Sequence, residues 1–284
     1  MKKILVYILL FQLFIIFSGC KKEIMGYEGK EGIYFAVQSG LSIYSAASWP
    51  YQPSTNVEFV RIGNSETDVS IKVSITGPVK DYDRSFQVEV NKDSTNAILG
   101  QHYDAIKGEW VIKAGATSTN ILVHLKRTAD LQQTARTLGL RLIATKDFEL
   151  SFPEWDAIPS LNGGPVVKKF NASLHSLKIN DIMVQPAVWI GSIQPVNKES
   201  GVFGAFTRKK MEFMIANLGV TYADFSSTET MPTARALLIA NDATAILKAR
   251  FDAKNPVLED DGRLMFIGSV PWTTIIGVPY VPGP

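Results

Sequence analysis

Val69-Ser70-Ile71-Lys72-Val73-Ser74-Ile75-Thr76 decides the reading of this chain, because apolar and polar side chains alternate along it without a break. A period of two places Val69, Ile71, Val73 and Ile75 on one face, the mark of a strand with one buried and one wet side. Gly77-Pro78 stops it, since proline has no amide to give a ladder. The alternation recurs at Phe86, Val88 and Val90, at Ile121, Val123 and Leu125, at Leu138, Leu140 and Leu142 on to Thr145, and at Phe170, Ala172, Leu174 and Leu177. Ile33 to Val37 is a short apolar run. Val57, Phe59 and Arg61 alternate with Glu58, Val60 and Ile62, so both faces of that stretch are partly apolar. Short strands at close spacing, separated by Gly, Pro and Asp, predict an all-β sandwich.

Past residue 200 the period changes. Phe203, Phe206, Met211, Met214 and Leu218 recur at intervals of three to five, and Gly219 suits a helix C-terminus. Alanine and leucine predict a second helix from Thr233 to Lys254, closed by Asn255-Pro256. The proline-rich end is not helical and offers a short strand near Thr273 to Val278. Phe152 to Pro165 reads as a loop. The expected division is a signal segment at 1–19, a tether at 20–31, a β-sandwich at 32–180 and a smaller α-containing part at 181–284.

The N-terminus carries an address. Lys2 and Lys3 precede Ile4 to Phe17, apolar apart from Gln12, and Ser18-Gly19-Cys20 follows with the sole cysteine of the chain. Charge, apolar run and small residues in that order form a secretory signal, and the run falls short of the ~20 residues that span a bilayer. Phe17-Ser18-Gly19-Cys20 resembles the lipobox of bacterial lipoprotein precursors, with Phe17 where an aliphatic residue is usual. The resemblance implies acylation at Cys20, and two acyl chains anchor stably where one binds marginally. Lys21-Lys22-Glu23 partly resembles the tag that exports such lipoproteins to the outside of the outer membrane. The expected location is therefore the outer membrane, lipid-anchored and facing outward. Removing residues 1 to 19 leaves 29 − 2 = 27 basic against 27 acidic residues. Nucleic acid is not an expected partner of a chain with no basic excess.

Gly100-Gln101-His102-Tyr103-Asp104, followed by Glu109-Trp110-Val111-Ile112-Lys113-Ala114-Gly115 and Ile121-Leu122-Val123, resembles the core of Calx-beta-type sandwiches. With Asp81-Tyr82-Asp83-Arg84 ahead of it, Arg127 to Leu131 after it, and Gly201-Val202-Phe203-Gly204 before Lys209-Lys210, the chain resembles an uncharacterised lipoprotein family of gut Bacteroidetes, often encoded in glycan-import loci. That resemblance implies an immunoglobulin-like or Calx-beta-like β-sandwich followed by a smaller helix-containing C-terminal part, and no assigned activity.

Asp81, Asp83, Asp104 and Asp130 are candidate oxygen ligands for a hard cation. However, Lys126 and Arg127 stand where calcium-binding Calx-beta domains place acids. Asp81 to Arg84 is read instead as a turn, with Arg84 pairing an aspartate and Tyr82 packing. His102, His124 and His175 lack zinc-ligand spacing, and His124, between Val123 and Leu125, is expected to face solvent. Arg208-Lys209-Lys210 reads as the wet face of a helix. No Gly-x-Ser-x-Gly elbow or phosphate loop is present, so no catalytic residue, metal or cofactor is assigned. Trp49, Trp155, Trp189 and Trp272 lie beside prolines or glycines, whereas Trp110 lies in a strand and is expected in the core. Trp155 and Trp189 are the candidate ligand-binding residues, because exposed loop rings can stack on sugars. The expectation is a non-catalytic surface lipoprotein, a glycan- or ligand-binding accessory of an uptake complex. The alternative is an adhesion or structural lipoprotein that binds another protein, with a hydrolase as the third choice.

Overall fold

The computed structural model describes residues 29–159 and 163–283. Cys20 and the signal segment lie outside the described residues. The strands, in chain order, are β1 (Gly32–Phe35), β2 (Ser54–Glu58), β3 (Glu66–Thr76), β4 (Arg84–Val90), β5 (Glu109–Ile112), β6 (Ser118–Lys126), β7 (Arg136–Ile143), β8 (Glu149–Leu150), β9 (Trp155–Asp156), β10 (Lys169–Phe170), β11 (Leu174–Asn180), β12 (Gly191–Gln194) and β13 (Lys198–Gly201). Helices span Phe59–Ile62, Arg208–Leu218 and Thr233–Asp252.

A four-stranded sheet in the order β6-β3-β1-β8 and a five-stranded sheet in the order β2-β11-β7-β4-β5 enclose the first core. The register keeps like with like: Val69 stands opposite Val123 and Ile71 opposite Ile121. Ile71, Val73, Ile121 and Leu125 meet Phe86, Leu138, Leu140, Leu142 and Leu177 in one buried cluster. Each such side chain contributes about 1.5–3 kcal/mol when taken out of water. With one cysteine in the chain, that burial replaces any disulfide. The architecture is mainly β, a two-sheet sandwich followed by a C-terminal part that contains helices.

The stretch predicted as a strand through Ile62 turns helical after Glu58. The Gly63 amide closes onto the Phe59 carbonyl, and Gly63 sits at φ +81°, which favours glycine. This single turn puts Phe59 in the sandwich core and Val60 in a second cluster. That cluster gathers Phe203, Met211, Met214, Phe225, Ala240, Ala243, Leu247 and Met265. Thr207 caps the 208–218 helix by accepting the Lys210 amide, and Gly219 ends it at φ +62°. The expected strand near Thr273 to Val278 is absent; Ile275 makes one isolated bridge to Lys198, and Gly277 at φ +83° turns the chain away. β12 and β13 form a hairpin instead.

Asp181 joins the two cores. It is fully buried and accepts from Arg127 at 2.7 Å and from Arg208 at 3.0 Å. Arg208 also donates to the Asp181 carbonyl.

Candidate ligand cleft

β1 and β8 run parallel, Gly32 beside Glu149 and Ile33 beside Leu150. The segments that follow them, 38–51 and 152–158, therefore leave the sandwich at the same end. Between them lies an open cleft of about 540 Å3, with Gln38, Trp49, Tyr51, Phe152, Trp155 and Asp156 among its walls. Trp155 is half-buried. Its ring lies 4.8 Å from Tyr51 and 5.1 Å from Phe152, both edge-on, and is stacked at 6.2 Å on Phe170. Edge-to-face and offset-stacked contacts are what ring quadrupoles favour, so the aromatic wall holds its shape before a ligand arrives. β9 pairs with β10 through Trp155 and Phe170, and that register seats the indole on the phenyl ring. Behind them Tyr34 is pushed up to about 12 by burial, with the Tyr51 hydroxyl beside it adding to the shift.

The opposite wall is tied by backbone contacts. Trp49 donates its indole N–H to the Leu41 carbonyl at 3.0 Å, and Gln38 donates from Nε2 to the Trp49 carbonyl at 2.8 Å. Sequence reading counted Trp49 among the loop tryptophans but chose Trp155 and Trp189, and it gave no ligand role to Tyr51 or Phe152; their convergence needs the parallel β1 and β8 pairing, which joins segments distant in the chain. Glu154 and Asp156 are exposed at the rim, and Glu154 pairs with Lys169.

Trp189 does not belong to this site. Its indole N–H donates to the Gly204 carbonyl at 2.9 Å, and its ring packs at 5.0 Å on both Phe203 and Phe206. At 9 % exposure it is a core residue, so its expected ligand role is withdrawn. Trp272 stacks on Phe251 at 5.0 Å. Trp110, expected in the core, is half-buried at its edge and donates to the Lys107 carbonyl at 2.6 Å.

The other constellations are ion pairs. Arg84 pairs with Glu31 rather than an aspartate, and Tyr82 is exposed instead of packed. Asp83 pairs with Lys113 and Asp104 with Lys126. His124 does not simply face solvent, since its Nδ1 lies 2.8 Å from Asp68. No group of three or more possible metal ligands occurs among the described residues. His102 is fully buried. The Ile98 amide donates to its Nδ1, so the ring proton sits on Nε2 and points at Asp130, 3.1 Å away. Thr128, then Arg136 and His102, hold the Asp130 carboxyl well below the usual range.

Lys210 overturns the wet-face reading of its cluster, for it is wholly buried. Its ammonium donates to Glu199 at 2.7 Å and to the Phe203 and Ala205 carbonyls. Arg263 donates to the other Glu199 oxygen at 2.9 Å. Burial alone would push the Glu199 carboxyl up; Lys210 and Arg263 outweigh it and hold it below its ordinary value. A signal existed in the sequence, because Lys210 shares a helix face with Phe213 and Met214. Gly204, at φ +66°, leaves the room that this ammonium fills.

Residues 27–160 match the family described as "Domain of unknown function (DUF4843)". The match stops short of Gly201 to Lys210. No curated protein matches the chain. Among solved structures, the apo form of the Calx CBD1 domain is 13% identical, with a TM-score of 0.34 over 55% of this chain and 100% of that one. A Bacteroides ovatus protein of unknown function is 12% identical, with a TM-score of 0.35 over 57% of this chain and 48% of that one. A proposed carbohydrate-binding protein from Bacteroides ovatus ATCC 8483 is 9% identical, with a TM-score of 0.33 over 54% of this chain and 37% of that one. The chain thus spans under half the length of the two Bacteroides proteins.

Proposed function

We propose that this chain, whose residues 27–160 carry a domain of unknown function (DUF4843), is a non-catalytic lipoprotein that binds a glycan in the cleft around Trp155. The observation that carries the reading is the preformed aromatic wall of Tyr51, Phe152 and Trp155 on an open cleft of about 540 Å3. Flat rings offer large apolar area at little entropic cost, which suits the C–H faces of sugars, and clefts of this size accommodate small ligands. The geometry of β1 supports an anchored receptor. Gly29 to Glu31 enter the strand at one end, and the cleft segments follow the other. A lipid on Cys20 would leave the cleft pointing away from the outer membrane into the surroundings.

The test uses the soluble chain starting at Lys21. Titration against a glycan array should find a ligand, and Trp155→Ala should weaken it about tenfold or more while the fold persists. Trp189→Ala should instead cost about 3–5 kcal/mol of stability, as truncation of a buried aromatic does. Glycan binding unaltered in Trp155→Ala would sink the reading. In cells, Cys20→Ala should release the full chain from the membrane fraction and abolish fatty-acid labelling. Leu41, Ile43 and Tyr44, all exposed on the loop beside the cleft, favour a second reading in which a protein partner covers that loop.

A further inference from the structure

The buried charges around Lys210 take no part in the cleft, and their arrangement has a chemistry of its own. The Lys210 ammonium meets three acceptors: Glu199 Oε1 at 2.7 Å, the Phe203 carbonyl at 3.0 Å and the Ala205 carbonyl at 2.8 Å. Burial pushes this ammonium down, because dry surroundings disfavour charge. When one proton leaves, the two carbonyls keep the two N–H groups that remain, and the lone pair takes the direction of Glu199. That is the posture of a nucleophile. On the carboxyl, the Ala205 amide donates to Glu199 Oε1 at 3.0 Å, and Arg263 and Thr274 each donate to Oε2 at 2.9 Å. Donors so placed also hold an oxyanion on Oε2. Gly204 keeps the approach clear, since a Cβ there would lie 2.8 Å from Glu199 Oε1 and 3.2 Å from Lys210 Nζ. Glu259 stands by the same nitrogen, its Oε1 3.6 Å from Lys210 Nζ and 4.0 Å from Arg263. Thr207 engages Glu259 Oε2, whereas Oε1 is buried with no hydrogen-bond partner among the described residues. An unpaired buried oxygen is unfavourable in a finished structure, and it is free to receive a proton.

We propose that Lys210 and Glu199 condense into an amide that joins the β12–β13 hairpin to the 208–218 helix, with Glu259 as proton carrier. A carboxylate is a poor electrophile, so the reaction begins with one Lys210 proton crossing the 2.7 Å contact to Glu199 Oε1. The amine lone pair then attacks Cδ. A C–N bond forms, and the carbonyl electron pair moves onto Oε2, under Arg263 and Thr274. Glu259 takes a second proton from the nitrogen and gives it to the hydroxyl on Oε1. That group leaves as water while the Oε2 pair re-forms the carbonyl. One ammonium and one carboxylate become one amide and one water, with no oxidant and no external group. Enclosure favours the product, because two buried charges disappear and the reacting groups are held in contact. Arg263 keeps its counter-charge in Glu259 and Asp261. A chain with a single cysteine gains in this way a covalent tie that needs no second thiol.

The experiment is the intact mass of the denatured soluble chain starting at Lys21, measured fresh and after prolonged incubation in native buffer. The chain should be lighter than its sequence by one water. Trypsin should then release a branched peptide in which Glu199–Arg208 is joined to Lys210–Arg235, because an acylated lysine is not cut. Lys210→Met has no amine to react and should show the full sequence mass. Glu259→Gln keeps an oxygen for Thr207 but carries no proton, so its branched peptide should accumulate about a hundredfold more slowly or less. Thermal melting of that variant checks its fold. A parent chain at full sequence mass that digests into separate peptides overturns the proposal and leaves an ordinary buried ion pair. A branched peptide that forms in Glu259→Gln at the parent's rate overturns the part given to Glu259.

Discussion

His175 lies on β11 with its ring buried at 1 % exposure, next to the Thr55 hydroxyl at 2.9 Å. Burial disfavours the imidazolium and holds the group down to about 4. The sign follows from linkage. Between the unfolded value near 6.5 and about 4, the unfolded chain binds a proton that the native chain refuses, so stability falls as pH drops through that window. The loss approaches about 3 kcal/mol at the lower limit, at 1.36 kcal/mol for each pKa unit. Urea midpoints at about pH 7 and about pH 4.5 should therefore differ more for the parent than for His175→Gln, whose amide keeps a partner for Thr55. An equal drop in both would show that His175 does not set the slope. The residue scale is also where sequence reading divided. Trp155 and Trp189 look alike locally, each beside a proline or glycine; which of them faces a cleft depends on segments far away in the chain.

At the scale of the element, the alternating strands were legible because each buries one face: β3, β4, β6, β7 and β11 appear in the sequence as period-two runs. The β12–β13 hairpin was not legible. Its residues, Gly-Ser-Ile-Gln and Lys-Glu-Ser-Gly, carry no apolar alternation, because the hairpin is held by backbone pairing and close approach. Gly191 shows how close: a Cβ built there lies 1.9 Å from the Gly204 carbonyl oxygen. Gly191→Ala should cost about 1–3 kcal/mol, the usual penalty of overpacking. Gly108, where a Cβ meets nothing within 4 Å and φ is not positive, is the control. Gly108→Ala should change the denaturation midpoint little, and equal effects of the two substitutions would refute the steric argument. The single turn at Phe59–Ile62 escaped notice for a different reason. Its two faces are both apolar because they serve two different cores, a pattern that also fits a strand buried on both sides.

At the scale of the molecule, Asp181 bears on whether the two cores behave as one. It receives guanidinium groups from Arg127 at the end of the sandwich and from Arg208 on the helical side. Removing one partner of a buried ion pair costs about 3–5 kcal/mol, and here the cost falls on the junction. In Asp181→Asn, scanning calorimetry should resolve an earlier transition of the C-terminal cluster, separate from that of the sandwich. A variant that melts as one unit at the parent's temperature would show that other contacts couple the two cores. The order of strands has a further consequence, for the making of the protein. β2 borders β11 and β1 borders β8, and Thr55 reaches His175 across 120 residues of chain. A chain that emerges N-terminus first therefore holds the edges of β1 and β2 open until its later strands arrive, and closing such distant pairs is slow. Until then those edges stand open to pairing with other chains. How soon those distant pairs close, rather than the strength of the finished core, then governs how much of the chain escapes association.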